Sequence, residues 1–221
     1  MLKNIIITNW QRWSLGLVVL AIAIGISSCQ QPIDSAAAQS SERLVSAILS
    51  DPKTFNPALS NESPNIFGYV GEGLITENGK GKIEPALAQS WEISPDKKRI
   101  TFTLKPNLKW SDGQPLTVDD VAFTFNEVYF NEAIPTDQRD ILKIGKKRQL
   151  PTVKKIDDSR IEFTTPEPFA PFLRSLGVSI LPAHTLRPTI DKKDNKGKPL
   201  FLSTWGTDTN PKDLVSNGMF M

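Results

Sequence analysis

The sequence predicts an α/β protein carried behind a targeting segment, and three stretches predict it. "ITFTLK", Ile100 to Lys105, alternates Ile100, Phe102 and Leu104 against Thr101, Thr103 and Lys105, the period of a half-buried strand. "TVDDVAFTFNEVYFN", from Thr117, changes period: Val118, Val121, Ala122, Phe125, Val128 and Tyr129 recur at helical spacing along one face. "IAIGISSC" ends an amino-terminal apolar run on Cys29, the chain's one cysteine.

That last stretch reads as a signal. Lys3 and Arg12 give the start a positive bias, with no acidic residue before Asp34. The run Leu15 to Ile26 has 12 residues, short of the roughly 20 needed to span a bilayer as a helix. Cys29 has no partner thiol for a disulfide, and the sole histidine, His184, is distant in sequence, which disfavours a catalytic thiolate. "ISSC" resembles the lipobox of bacterial lipoproteins, with Ile26 where Leu is usual. That resemblance implies cleavage after residue 28, a diacylglyceryl group on the Cys29 sulfur and an acylated new amino terminus. Two or more acyl chains give stable anchoring where one is marginal. The alternative is an ordinary cleaved signal with an incidental cysteine.

Removing residues 1–28 takes away two basic side chains and no acids, so 26 basic and 24 acidic residues become equal numbers. A neutral mature chain with no basic stripe interleaved with aromatics excludes nucleic acid as a partner class. The remaining 193 residues suffice for one sizeable domain, and 17 prolines favour strands, turns and short helices. Residues 29–42 are small and polar and read as a flexible spacer.

Along the folded part, "RLVSAIL" (43–49) reads as a buried strand leading into the loop "SDPKTFNP". "SPNIFGYVGEGLI" (63–75) reads as a helix with Ile66, Val70 and Leu74 on one face, in which Gly71 and Gly73 permit close backbone packing. "WSDGQP" turns through Asp112 and Gly113, and "KKIDDSRIEF" reads as two strands joined by a polar turn. Prolines bracket a short helix whose Phe169, Phe172, Leu173 and Leu176 belong in a core, and "RPTIDKKDNKGKP" (187–199) reads as a solvated loop.

Asp119 and Asp120 form a tempting acid/base pair, yet both fall in a first helical turn, with Thr117 as the N-cap and Asp120 closing a capping box. Asp157 and Asp158 are turn residues by the same logic. His184 has no second histidine or thiolate to complete a metal site. No "GxSxG", "HExxH", "SxxK" or glycine-rich phosphate loop occurs, so a hydrolase lacks its parts and no cofactor is implied.

"ALAQSWEISPDKKRITFTLKPNLKWSDGQPLTVDDVAFTFN" (86–126) resembles the signature of bacterial extracellular solute-binding proteins of family 5, which serve oligopeptide, dipeptide and nickel ABC importers. "DPKTFNPA" and "GEGLI" before it, and "ILPAHTL" and "NPKDLVSNG" after it, extend the resemblance over nearly all of residues 43–221.

The resemblance implies a class II periplasmic-binding-protein clamshell of two α/β lobes closing over a solute. Residues 43–75 and 165–221 would form the first main lobe and 75–165 an inserted small lobe. Family members usually run to about twice this length or more, so the chain reads as an amino-terminal portion without the second main lobe. The implied function is an extracytoplasmic, lipid-anchored receptor that passes oligopeptides to a membrane permease, and not an enzyme. A lipid-anchored hydrolase is the alternative class. Asn61 and Glu62 in "ALSNES" (58–63) are the candidate ligand contacts, with Trp205 and Gly206 from "STWGTD" (203–208). Trp91, Trp110, Asp112 and Gly113 are expected to be framework.

Overall fold

A computed structural model of the chain describes residues 51–59 and 70–218. These belong to one unit, Ala47–Met221. The expected signal, the acylated Cys29, the 29–42 spacer, the 43–49 strand, Asn61 and Glu62 lie outside the described residues. So do residues 63–69 of the expected 63–75 helix; the rest corrects the expectation, since only Val70 is helical, residues 71–74 are irregular and Ile75 already begins a strand.

A short hairpin comes first: β1 (Ile75–Glu77) pairs antiparallel with β2 (Ile83–Pro85). Four more strands form the main sheet: β3 (Ala88–Ile93), β4 (Arg99–Leu104), β5 (Thr152–Lys155) and β6 (Arg160–Thr164). They run antiparallel throughout in the order β3-β4-β6-β5. In β4 the predicted alternation holds, with Ile100, Phe102 and Leu104 buried and Thr101 and Thr103 half-buried. The register carries the pattern across strands, since Trp91 faces Phe102, which faces Ile161, and Ile100 faces Phe163. One face is therefore apolar and the other bears Glu92, Thr101, Glu162 and Lys154.

The connection from β4 to β5 crosses the apolar face. It contains α1 (Val118–Phe123), which runs on as a π-helical turn over Thr124–Tyr129. Thr117 caps α1 as predicted: its hydroxyl accepts the Asp119 N–H, and Asp120 reaches back to the Thr117 N–H. The π turn departs from the expected regular helix. Its wider i→i+5 pattern includes the bond from Phe130 N–H to the Phe125 carbonyl at 2.9 Å. Phe123, Thr124 and Phe125 are all fully buried. Phe125 meets Phe163 of β6 edge-on with centroids 4.9 Å apart and Tyr129 at 5.7 Å.

After this come α2 (Gln138–Leu142), α3 (Phe172–Ser175) and α4 (Ala183–Asp191). Two expectations are corrected here. Phe169 does not join the core, being 36% exposed, because α3 starts only at Phe172 and Phe169 lies in the turn before it. The stretch from Arg187 is not all loop: α4 continues through Pro188 to Asp191. Burial of Leu186 and partial burial of Ile190 hold that helix against the unit despite the N–H that proline lacks. The solvated loop is confined to residues 192–199, closed by the bridge of Lys193 to Pro199.

Gly73 behaves as its sequence position predicts. A Cβ built there would lie 2.5 Å from the Gly177 carbonyl carbon, so the two backbones meet with no room for a side chain. The polar turn between β5 and β6 is also as expected. The Asp157 carboxylate accepts the Ser159 and Arg160 N–H groups, both at 2.9 Å. No helix among the described residues is long and apolar enough to cross a membrane.

Candidate functional site

A cavity of about 490 Å³ lies where four stretches converge with Val70, Gly71 and Trp205. Each is pinned by its own polar contacts. The first is residues 54–58. Asn56 is fully buried, donates from Nδ2 to the Phe201 carbonyl at 3.2 Å and accepts the Ala58 N–H at 3.1 Å. The Phe55 N–H and the Thr54 hydroxyl both donate to the Trp205 carbonyl, at 2.7 and 3.1 Å.

The second stretch is the "WSDG" turn, where Gly113 adopts φ +85° and the Trp110 N–H bonds the Gln114 carbonyl. The third is residues 179–182. Tyr129 donates its hydroxyl to the Ser179 carbonyl at 2.8 Å, and the Leu181 N–H donates to the Thr124 hydroxyl at 2.9 Å. Burial pushes the Tyr129 phenol pKa above its ordinary value, so it stays a neutral donor. The fourth is residues 211–217. Ser111 and Ser216 exchange two bonds, Ser111 N–H to the Ser216 carbonyl and Ser216 N–H to the Ser111 hydroxyl.

Phe55, Trp110, Leu181, Trp205, Leu214 and Val215 make most of the wall apolar. Trp205 is 7% exposed and sits at φ +60°, a left-handed conformation that costs a non-glycine residue on the order of 1 to 2 kcal/mol. That conformation belongs to the turn whose carbonyl receives Thr54 and Phe55, so the strain is held by contacts 150 residues away in sequence.

Trp205 therefore lines the cavity, while its neighbour Gly206 does not. Gly206 bridges Thr54, and a Cβ there would lie 2.9 Å from the Asp208 carboxylate. Trp91 is framework, packed beside Phe102 at 6.2 Å. Trp110 is buried as framework would be, but it also forms part of the cavity wall, which its place in a turn motif did not reveal. Among the lining residues that were missed are Leu181, Lys212, Leu214 and Val215. The sequence signal of Leu181, Leu214 and Val215 is only apolar character outside any clear period, and nothing sets Lys212 apart from the other lysines.

His184 leaves the wall and bonds Asp112, Nε2 to Oδ2 at 2.7 Å, beside the Trp110 ring. Partial burial opposes ionisation of Asp112, yet the hydrogen bonds from His184 and the Gln114 N–H outweigh it and hold the carboxyl below its usual range. No group of three potential metal ligands occurs among the described residues.

Residues 82–221 match the family model for "Bacterial extracellular solute-binding proteins, family 5 Middle". A probable ABC transporter-binding protein of Deinococcus radiodurans is 31% identical over 179 residues, covering 78% of this chain and 29% of that protein. The periplasmic oligopeptide-binding protein OppA of Haemophilus influenzae is 32% identical over 117 residues, 51% of this chain and 22% of its own. Its crystal structure in complex with RPPGFSPFR aligns with TM-score 0.56 at 26% identity, over 64% of this chain and 31% of that one. NikZ of Campylobacter jejuni in complex with Ni(L-His) aligns with TM-score 0.53 at 26% identity, over 66% of this chain and 28% of that one. The chain thus spans less than a third of the length of these relatives. With signature, fold and match in agreement, it belongs to the bacterial extracellular solute-binding proteins, family 5.

Proposed function

We propose that the chain is part of the receptor of an ABC importer, anchored outside the cytoplasm through a lipidated Cys29, which captures oligopeptides and presents them to a membrane permease. The observation that carries this reading is the family match over residues 82–221, and two further facts support it. The cavity is apolar with few fixed polar groups, a surface able to accept varied side chains. Relatives with this fold carry peptide-binding names, and one was crystallised with a peptide.

In this reading residues 43–75 and 165–221 form the first main lobe and residues 75–165 the inserted one. Asn61, Glu62 and Trp205 face the ligand. Because the chain spans under a third of its relatives, a second lobe encoded alongside it would complete the enclosure. Closure around the solute, rather than any bond-breaking step, is the output.

Calorimetry of the chain joined to its second lobe tests the ligand class, with short peptides as titrant and Ni(L-His) as comparator. Saturable heat with peptides and their recovery intact support the reading. Peptide cleavage, or heat with the nickel complex alone, sinks it. Labelling of cells with radioactive palmitate tests the anchor: the wild type should be marked and Cys29→Ala unmarked.

A further inference from the structure

Residues 192–198, between α4 and the buried Phe201, take no part in the cavity. They read "KKDNKGK", four lysines in seven residues with one acid, Asp194. All four lysines are exposed.

Local chemistry folds this segment into a tight hairpin. The Asp194 carboxylate accepts the Lys196 and Lys198 N–H groups at 2.8 and 2.9 Å, the Asp194 N–H donates to the Lys198 carbonyl at 2.7 Å, and Gly197 takes the left-handed position at φ +78°. Lys193 bridges Pro199, and the Leu200 N–H donates to the Lys192 carbonyl at 2.8 Å. Phe201 fixes the stem, being fully buried with its carbonyl accepting Asn56 Nδ2. Asp194 is thus engaged inside the turn, while the lysine side chains stay in solvent on a fixed frame.

None of the four lysines joins an ion pair among the described residues. Counting the exposed Asp191 that ends α4, residues 191–198 carry four lysines and two acids, an excess of two positive charges. The chain's other basic hairpin, residues 143–148, differs, because Asp140 holds its Lys143 at 2.8 Å and its Arg148 at 3.0 Å. Only Lys146 and Lys147 are left there.

We propose that the 192–198 hairpin docks on an anionic lipid surface, with its ammonium groups among headgroup phosphates. Lysine is a hydrated point charge on a long stem, and a cluster of four suits a charged plane that offers no shaped pocket. A protein partner fits poorly, since interfaces are depleted in lysine and the hairpin has no aromatic or apolar anchor. A nucleic acid fits poorly too, since the hairpin has neither rings for stacking nor arginine forks. Tethering through Cys29, as proposed above, keeps the unit beside such a surface, and a second, weaker attachment then sets which face lies towards the lipid. The inference uses the anchor reading for that setting only.

Co-flotation of the full chain with vesicles tests it, comparing phosphatidylcholine alone with phosphatidylcholine mixed with phosphatidylglycerol. A lysine near an anionic surface contributes about fivefold in partitioning, so the mixed vesicles should be favoured by about tenfold or more. Lys196→Ala combined with Lys198→Ala should lower partitioning to the mixed vesicles about twentyfold and leave the neutral vesicles unchanged. Lys146→Ala combined with Lys147→Ala alters net charge equally and should lower it far less. All four positions are exposed, so the variants leave the core intact, and residues 1–28 are common to every chain compared. Salt at about 1 M, where the screening length is about 3 Å, should abolish the preference.

Equal partitioning to the two kinds of vesicle overturns the inference. Equal losses from the two double variants also overturn it, because net charge rather than this hairpin is then responsible. So does a preference that neither variant lowers. Binding to duplex DNA with the same lysine dependence, and none to vesicles, overturns it in favour of nucleic acid. Palmitate labelling reads the anchor separately: a marked chain whose hairpin ignores anionic vesicles loses this inference and keeps the anchor, and an unmarked chain that binds them does the reverse.

Discussion

The Asp120 carboxylate accepts the Ala183 backbone N–H at 2.9 Å through one oxygen and the Thr117 N–H at 2.8 Å through the other. One side chain thereby caps α1 and ties it to the start of α4, 63 residues away. Asp120→Ala leaves two backbone donors unmet, one of them buried, and should destabilise the fold by roughly 2 to 3 kcal/mol. Urea unfolding measures it. A cost no larger than that of an ordinary exposed cap would show that the bond to Ala183 contributes nothing.

Gly73 and Gly113 should respond differently to alanine. At Gly73 the new methyl meets the Gly177 backbone, which can move only with the segment that carries it. Overpacking of this kind costs roughly 1 to 3 kcal/mol. At Gly113 nothing lies within 4 Å, and only the left-handed φ of +85° is penalised, by about 1 kcal/mol. The denaturation midpoint of Gly73→Ala is expected below that of Gly113→Ala, and the reverse order would contradict the close approach.

Phe125 stands between Phe163, Tyr129 and Phe130 with centroids at 4.9, 5.7 and 6.0 Å. Its truncation to alanine removes a fully buried ring at the junction of the π turn and the sheet. A loss of roughly 3 to 5 kcal/mol is expected. Calorimetric melting of Phe125→Ala beside the exposed control Phe169→Ala reads it. Equal melting temperatures would refute the core assignment.

Acid should weaken the β5–β6 turn. Backbone bonds from Ser159 and the Arg160 side chain hold Asp157 down to about 2. A carboxyl whose pKa is depressed on folding stabilises the native state above its unfolded value near 4, and that contribution drains away as pH falls towards about 2. Asp112 shifts in the same direction. Carbon-detected NMR of the Asp157 carboxyl gives its midpoint directly, and stability profiles of Asp157→Asn should be flatter than wild type between pH 4 and 2. A midpoint at the ordinary value, near 4, would remove the argument.

Local chemistry was legible beforehand. The alternation in β4, the Thr117–Asp120 capping box and the Asp157 turn each depend on a few adjacent residues, and all three appear in the structure. The π turn was not legible, because its phase is set by Phe163 and Tyr129 packing around Phe125 rather than by spacing alone. Nor was α4, since Pro188 reads as a breaker until burial of Leu186 outweighs it. Trp205, singled out in the sequence, lines the cavity, as do Leu181, Leu214 and Val215, which were not.

The sequence by itself determined the family, the α/β character and the caps and turns, because periodicity and capping act over one or two turns of chain. Only the tertiary structure decided that Phe55, Trp110, Leu181 and Trp205 share one cavity. Those residues lie up to 150 positions apart, and they meet because buried backbone donors and acceptors from distant segments had to find each other, as Phe55 and Trp205 do.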